Sequence, residues 1–183
     1  MKHANFVPIA ALLFAVACSD SVTAPDPGSP SFVKPGSAAP TGTHFQSASA
    51  DFTSASVNTL QANFDIAGLG NTAGSVTVLA TADASALFAC QNGGGNFPSD
   101  PKKKAESAEV SALGTFTVSN GRATGFLTLS PPASTLHCPG GQTPVLASVT
   151  YSNVQIQVVG SSVTATSSNS DIGTSYSRTF FTF

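Results

Sequence analysis

In VTVLATADASALFAC, residues Val76 to Cys90, every even position is apolar: Val76, Val78, Ala80, Ala82, Ala84, Ala86, Phe88 and Cys90. Thr77, Thr81, Asp83 and Ser85 fall on odd positions between them. A period of two marks an extended strand with one buried face, whereas a helix repeats every 3.6 residues. The run fits either one long strand or two that bend between sheets. Its small alanines require something packed closely over the apolar face.

The same period extends outward in both directions. Upstream, Leu60, Ala62, Phe64 and Ile66 alternate with Gln61, Asn63 and Asp65. Downstream, SNGR (Ser119 to Arg122) centres Asn-Gly in a two-residue turn, the strongest short hairpin signal because both residues tolerate positive φ. That turn predicts pairing of Val118 with Ala123, Phe116 with Gly125, Gly114 with Leu127 and Ala112 with Leu129. VGSS (Val159 to Ser162) predicts a second hairpin, with Val158 opposite Val163 and Ile156 opposite Ala165. Between them the apolar phase slips from odd (Val145, Ala147, Val149, Tyr151) to even (Val154, Ile156, Val158), which predicts a bulge near Ser152-Asn153. DPKKKAESAEV, from Asp100, carries no apolar face and reads as a loop or one solvated turn. The closing TSYSRTFFTF reads as a last strand; its phenylalanines also fit an outer-membrane barrel signal, but no Trp and 2 Tyr leave no aromatic girdles. The expectation is an all-β chain: one antiparallel β-sandwich, immunoglobulin-like or related, of about eight strands over residues 43–183.

The N-terminus reads as a targeting segment. Lys2 and His3 precede FVPIAALLFAVA, an apolar run of 12 residues ending at Ala17, too short for the roughly 20 needed to span a bilayer. Residues 1–17 are therefore expected to be a signal peptide. AVAC resembles the lipobox of bacterial lipoproteins, which makes Cys18 the expected lipidation site and the protein membrane-anchored in the cell envelope. Ala15 stands where leucine is usual, and Ala15-Val16-Ala17 also fits ordinary signal peptidase, which would release a secreted or periplasmic soluble domain. Residues 18–42 hold five of the 12 prolines and no periodicity, as in a semi-rigid linker.

Cys90 and Cys138 remain. In an exported chain two cysteines are expected to form a structural disulfide. Zinc competes poorly, since His137 beside Cys138 and a distant Cys90 give no standard ligand spacing. Charged residues make up 9% of the chain and the net charge is −2, so there is no basic field for nucleic acid. Beyond the leader only His44 and His137 can serve as a catalytic base, neither in a nucleophile elbow. Asp51, Asp65 and Asp83 sit on the polar phase of strands. Gly93-Gly94-Gly95 lacks the Lys-Ser/Thr of a phosphate loop, and no calcium-loop cluster appears. Neither an enzyme nor a cofactor or metal is expected.

CQNGGGNFPSDPKK and TGFLTLSPPASTLHCPGGQTPVLASVTYSNVQI resemble a group of short exported microbial proteins that share a Cys-Asn-Gly-rich loop, a TLSPP segment and a CPxGQT segment. The likeness spans about Ala89 to Ile156 and implies an exported all-β domain of unassigned activity. A disulfide between Cys90 and Cys138 would bring two irregular loops to one end of the sandwich. Those loops carry the candidate binding residues Asn92, Asn96, Phe97, Lys102, Lys103, Lys104 and His137, because binding residues collect on loops held by a rigid scaffold. The expected function is a membrane-tethered extracytoplasmic binding module for an envelope protein or glycan. The alternatives are a structural envelope component and a secreted β-domain without a lipid anchor.

Overall fold

The computed structural model describes residues 39–54, 57–70 and 74–183; the expected leader, Cys18 and most of the expected linker lie outside the described residues. Eight strands follow in chain order: β1 (His44–Asp51), β2 (Leu60–Ala67), β3 (Ser75–Asn92), β4 (Lys103–Thr117), β5 (Ala123–Leu129), β6 (Gln142–Val158), β7 (Thr164–Ala165) and β8 (Ser175–Thr179). They form a three-stranded sheet, β1-β2-β5, and a five-stranded sheet, β4-β3-β6-β7, in which β8 also pairs with β6. All of these ladders are antiparallel. The two sheets pack together as a β-sandwich.

The core follows the even phase of β3. Val76 to Cys90 bury their even side chains against Leu60, Ala62, Phe64 and Ile66 of β2, Leu127 and Leu129 of β5, and Val149, Tyr151, Val154, Ile156 and Val158 of β6. β3 is one unbroken strand of 18 residues. The VGSS turn pairs Ile156 with Ala165, and Val158 N–H donates to Val163 O at 3.0 Å, as its register predicts. The expected bulge is also present. Thr81 faces Gln155 while Asp83 faces Ser152, so β6 holds one extra residue there. Asn153 has φ 52, a conformation asparagine tolerates better than most residues, and its Nδ2 donates to Asp83 Oδ2 at 2.7 Å.

Two sequence expectations need correction. The SNGR turn forms, with Asn120 φ 51 and Gly121 φ 73 and reciprocal Ser119–Arg122 backbone bonds of 2.8 and 3.0 Å. Yet β4 pairs with β3 and β5 with β2, so the turn links the two sheets instead of closing a hairpin. Two of the expected pairs, Phe116 with Gly125 and Gly114 with Leu127, meet across the core. A Cβ on Gly125 would lie 2.5 Å from Phe116 Cε1, and one on Gly114 would lie 2.9 Å from Leu127 Cδ2. Phe116 occupies the space these glycines leave and meets Phe64 edge-on at 4.7 Å. The second correction concerns DPKKKAESAEV, which is strand from Lys103 onward and pairs with β3 as far as Ala89. Ladder hydrogen bonding along β3 holds it extended although its start carries no apolar alternation.

The sheets differ in length. Strands of the smaller sheet have 7 or 8 residues, against 15 to 18 in β4, β6 and β3. The smaller sheet ends near Tyr151, whose single hydroxyl proton is shared between Asn58 O at 2.9 Å and Leu129 O at 3.2 Å. Burial pushes the Tyr151 phenol far above its ordinary range, against an opposing backbone hydrogen bond at Leu60. Beyond this level Ala86, Phe88 and Cys90 remain buried, with residues 130–141 over them in place of strands.

Candidate functional site

Cys90 and Cys138 form the expected disulfide, with Cα atoms 5.6 Å apart. It fastens residues 130–141 to the overhanging end of β3. Leu136, two residues before Cys138, is buried there. Polar bonds complete the attachment. Glu106 accepts from Thr135 N–H at 3.0 Å and from Thr135 Oγ1 at 2.5 Å. Lys104 donates to Thr135 Oγ1 and pairs with Glu106 at 3.2 Å. The Thr135 hydrogen bonds, with a smaller contribution from Lys104, hold the Glu106 carboxyl below its usual range although desolvation opposes them. Glu106 and Thr135 were not among the expected residues, since only the β4 register places them together.

The glycine-rich stretch is a self-contained turn. Asn92 Oδ1 accepts from Gly94 N–H at 3.2 Å and Asn96 N–H at 3.0 Å. Asn92 N–H donates to Asn96 O at 3.0 Å, and Asn96 Nδ2 to Gly94 O at 3.4 Å. Gly95, with φ 79, supplies the left-handed residue such a turn needs. The two asparagine side chains thus already serve the turn.

The three lysines do not act as one group. Lys102 Nζ donates to His137 O at 3.0 Å and Lys104 holds Thr135, so both secure the covering connection. Lys103 and Lys104 belong to β4, not to a loop. Lys103 lies opposite Ala89, on the outer phase of the sheet, where its Nζ sits 4.2 Å from the Phe183 ring centroid. The His137 side chain is exposed beside the disulfide.

Around Lys103 lies a patch that the sequence did not reveal. Phe97 meets the rings of Phe181 at 5.4 Å and Phe183 at 5.2 Å. Phe181 and Phe183 are 41% and 45% exposed. A second bulge brings them there: Leu87 faces Ser148 while Phe88 faces Leu146, and Ala147 O, at the extra residue, accepts from Phe180 and Phe181 N–H at 2.7 and 3.2 Å. Of the expected residues, Phe97 and Lys103 join this patch. Asn92, Asn96, Lys102, Lys104 and His137 do not contribute side chains to it. The run TFFTF was the available signal, but its contact with Phe97 spans more than 80 positions. Elsewhere on the surface Leu113 and Phe126 are exposed on different sheets.

Among the described residues no group of three or more His, Cys, Asp or Glu side chains is arranged to hold a metal ion. No protein-family model, curated protein or solved structure matches the chain.

Proposed function

We propose that the chain is an extracytoplasmic binding module, exported by residues 1–17, tethered to a membrane through lipidated Cys18 and presenting the Phe97–Phe181–Phe183 end to its ligand. The observation that carries this reading is the aromatic trio on a disulfide-braced end of the larger sheet, with Phe181 and Phe183 exposed, Phe97 half-buried against both and Lys103 over the Phe183 ring. Aromatic rings held by packing offer contact area at little entropic cost, which is what a binding surface needs. A permanent structural partner calls for a contiguous apolar area of several hundred Å². Leu113 and Phe126 stand apart from the trio, which favours a binder over a structural component.

The test has two arms. Wild-type protein made in a host that exports lipoproteins should partition into detergent, and Cys18→Ser should release it or leave the precursor unprocessed; an intact mass matching an unmodified chain beginning at Cys18 would overturn the anchor. In pull-downs from envelope extract, Phe97→Ala should lose a ligand that the wild type captures. Equal capture by both would overturn the aromatic end as the binding surface.

A further inference from the structure

We propose that the ligand is a neutral polysaccharide chain, lying along the outer face of the five-stranded sheet from the Phe183 patch to a hollow beside Asp83. The proposal rests on the binding-module reading and gives its ligand a chemical class. Register supplies the first argument. Ser107, Ser85, Thr150 and Ser177 lie opposite one another on β4, β3, β6 and β8. At strand spacings of about 4.8 Å this makes a row of hydroxyls roughly 14 Å long. Ser107 Oγ donates to Ser85 Oγ at 3.2 Å, and Thr150 and Ser177 share a bond of 2.9 Å. A hydroxyl donates once and accepts twice, so each retains capacity for a ligand hydroxyl.

The next rank holds Asp83 opposite Ser152, with the Asp83 carboxylate oriented by Asn153 at the bulge. Asp83 and Ser152, with Ser85, Ser107 and Thr150 of the hydroxyl row, line an open hollow of about 350 Å³. Lys103 lies four residues from Ser107 along β4, roughly 13 Å for an extended strand. The aromatic patch and the hollow therefore share one face, within reach of one extended chain.

Charge selects the class. Lys103 beside the patch is outweighed by Asp83 and Glu109, which are opposite each other on β3 and β4 farther along the same face. Such a face offers no net positive field to a polyanion. Uncharged hydroxyls and carboxylate acceptors suit a polyol, and aromatic rings suit the apolar side of a sugar ring. A protein partner would seek apolar surface, but next to the patch this face presents a row of hydroxyls and the Asp83–Glu109 pair, and the exposed Leu113 lies beyond them toward the other end of β4.

The test is retardation of the purified full-length protein in native gels containing hydroxyethyl cellulose, laminarin, glucomannan, xylan or dextran, with polygalacturonate as the anionic comparison. At least one neutral polymer should retard the wild type. Ser85→Arg, which fills the hollow from an exposed position, and Phe183→Ala should each weaken that retention about tenfold, a loss typical of removing one good contact. Phe126→Ala, on the opposite sheet, should leave it unchanged. Far-UV circular dichroism verifies folding, and Ser107→Arg replaces Ser85→Arg if the latter misfolds. Retention by polygalacturonate alone, no retention by any neutral polymer, or wild-type retention by the arginine variants overturns the proposal. If no polysaccharide binds while Phe97→Ala still abolishes capture of an envelope protein, the glycan inference falls and the binding-module reading stands.

Discussion

From Val76 to Ala84 the inner face of β3 lies against the strands of a second sheet; from Ala86 to Cys90 the same face lies under an irregular connection. The side chains are equally buried in both stretches, but what secures their cover differs. Over the first stretch the covering strands satisfy their own backbone groups in ladders and contribute an alternating apolar face. Residues 130–141 have no ladder. They contribute one buried leucine, Leu136, and are held by Cys138, by Thr135 on Glu106 and by Lys102 on His137 O. An apolar face can be covered without a sheet, provided that covalent and side-chain bonds supply the order that a ladder would have supplied.

The largest expected effect breaks this contrast at its cross-link. The disulfide closes a loop of 48 positions, for which the chain-entropy model gives about 4 kcal/mol. Cys90→Ala with Cys138→Ala should lower the melting temperature sharply. Hydrogen exchange should rise first in β3 beyond Ala86 and at the start of β6, with Leu60–Ile66 still protected. Uniform loss of protection in both sheets would show that the two stretches share one cooperative unit.

A smaller effect comes from adding one methyl to each cover. Gly125→Ala places a Cβ 2.5 Å from Phe116 Cε1 and should cost about 1–3 kcal/mol through overpacking. Gly140→Ala meets nothing within 4 Å and should leave the denaturation midpoint unchanged. Equal costs at the two sites would mean that the connection is packed as tightly as the sheet.

The smallest effect is confined to the connection and follows pH. The carboxyl of folded Glu106 titrates below the ordinary value of 4.5, so its contribution is complete above that value and is lost as pH falls through the lower folded pKa. The Thr135 amide resonance should therefore move only in the acidic limb of a titration, while amides of β2 stay fixed. Glu106→Gln should abolish the movement; a titration that persists in this variant would assign it to another group.

The sequence reported this architecture unevenly, and the reasons are physical. The Val158–Val163 turn, the Asn153 bulge and the disulfide were legible because each is local or limited by a small number of partners. The SNGR register was right that Phe116 meets Gly125 and Gly114 meets Leu127, and wrong about how. Period-two alternation places Phe116 against Gly125 whether the strands are neighbours in one sheet or face each other across the core. β4 was hidden because Lys104 and Glu106 occupy its inner phase, where the cover is a hydrophilic connection and polar side chains are needed. At the candidate site, Phe97 and Lys103 were visible as members of an unusual stretch. Phe181 and Phe183 joined them only through the bulge at Ala147, where no residue pattern marks the phase slip.

The position of residues 39–43 has a mechanical consequence. They lead into β1 beside Gly68, where Thr43 Oγ1 donates to the Gly68 carbonyl at 3.2 Å, at the end of the sandwich opposite Phe97. A pull applied between those residues and anything gripped at the aromatic end would run lengthwise through the domain. It would load the β1–β2 ladder, seven residue pairs from His44 to Asp51, in shear and not one bond at a time from a free end. Antiparallel bonds perpendicular to the load share it, so the ladder would yield as a unit and at a higher force than a strand peeled from its edge.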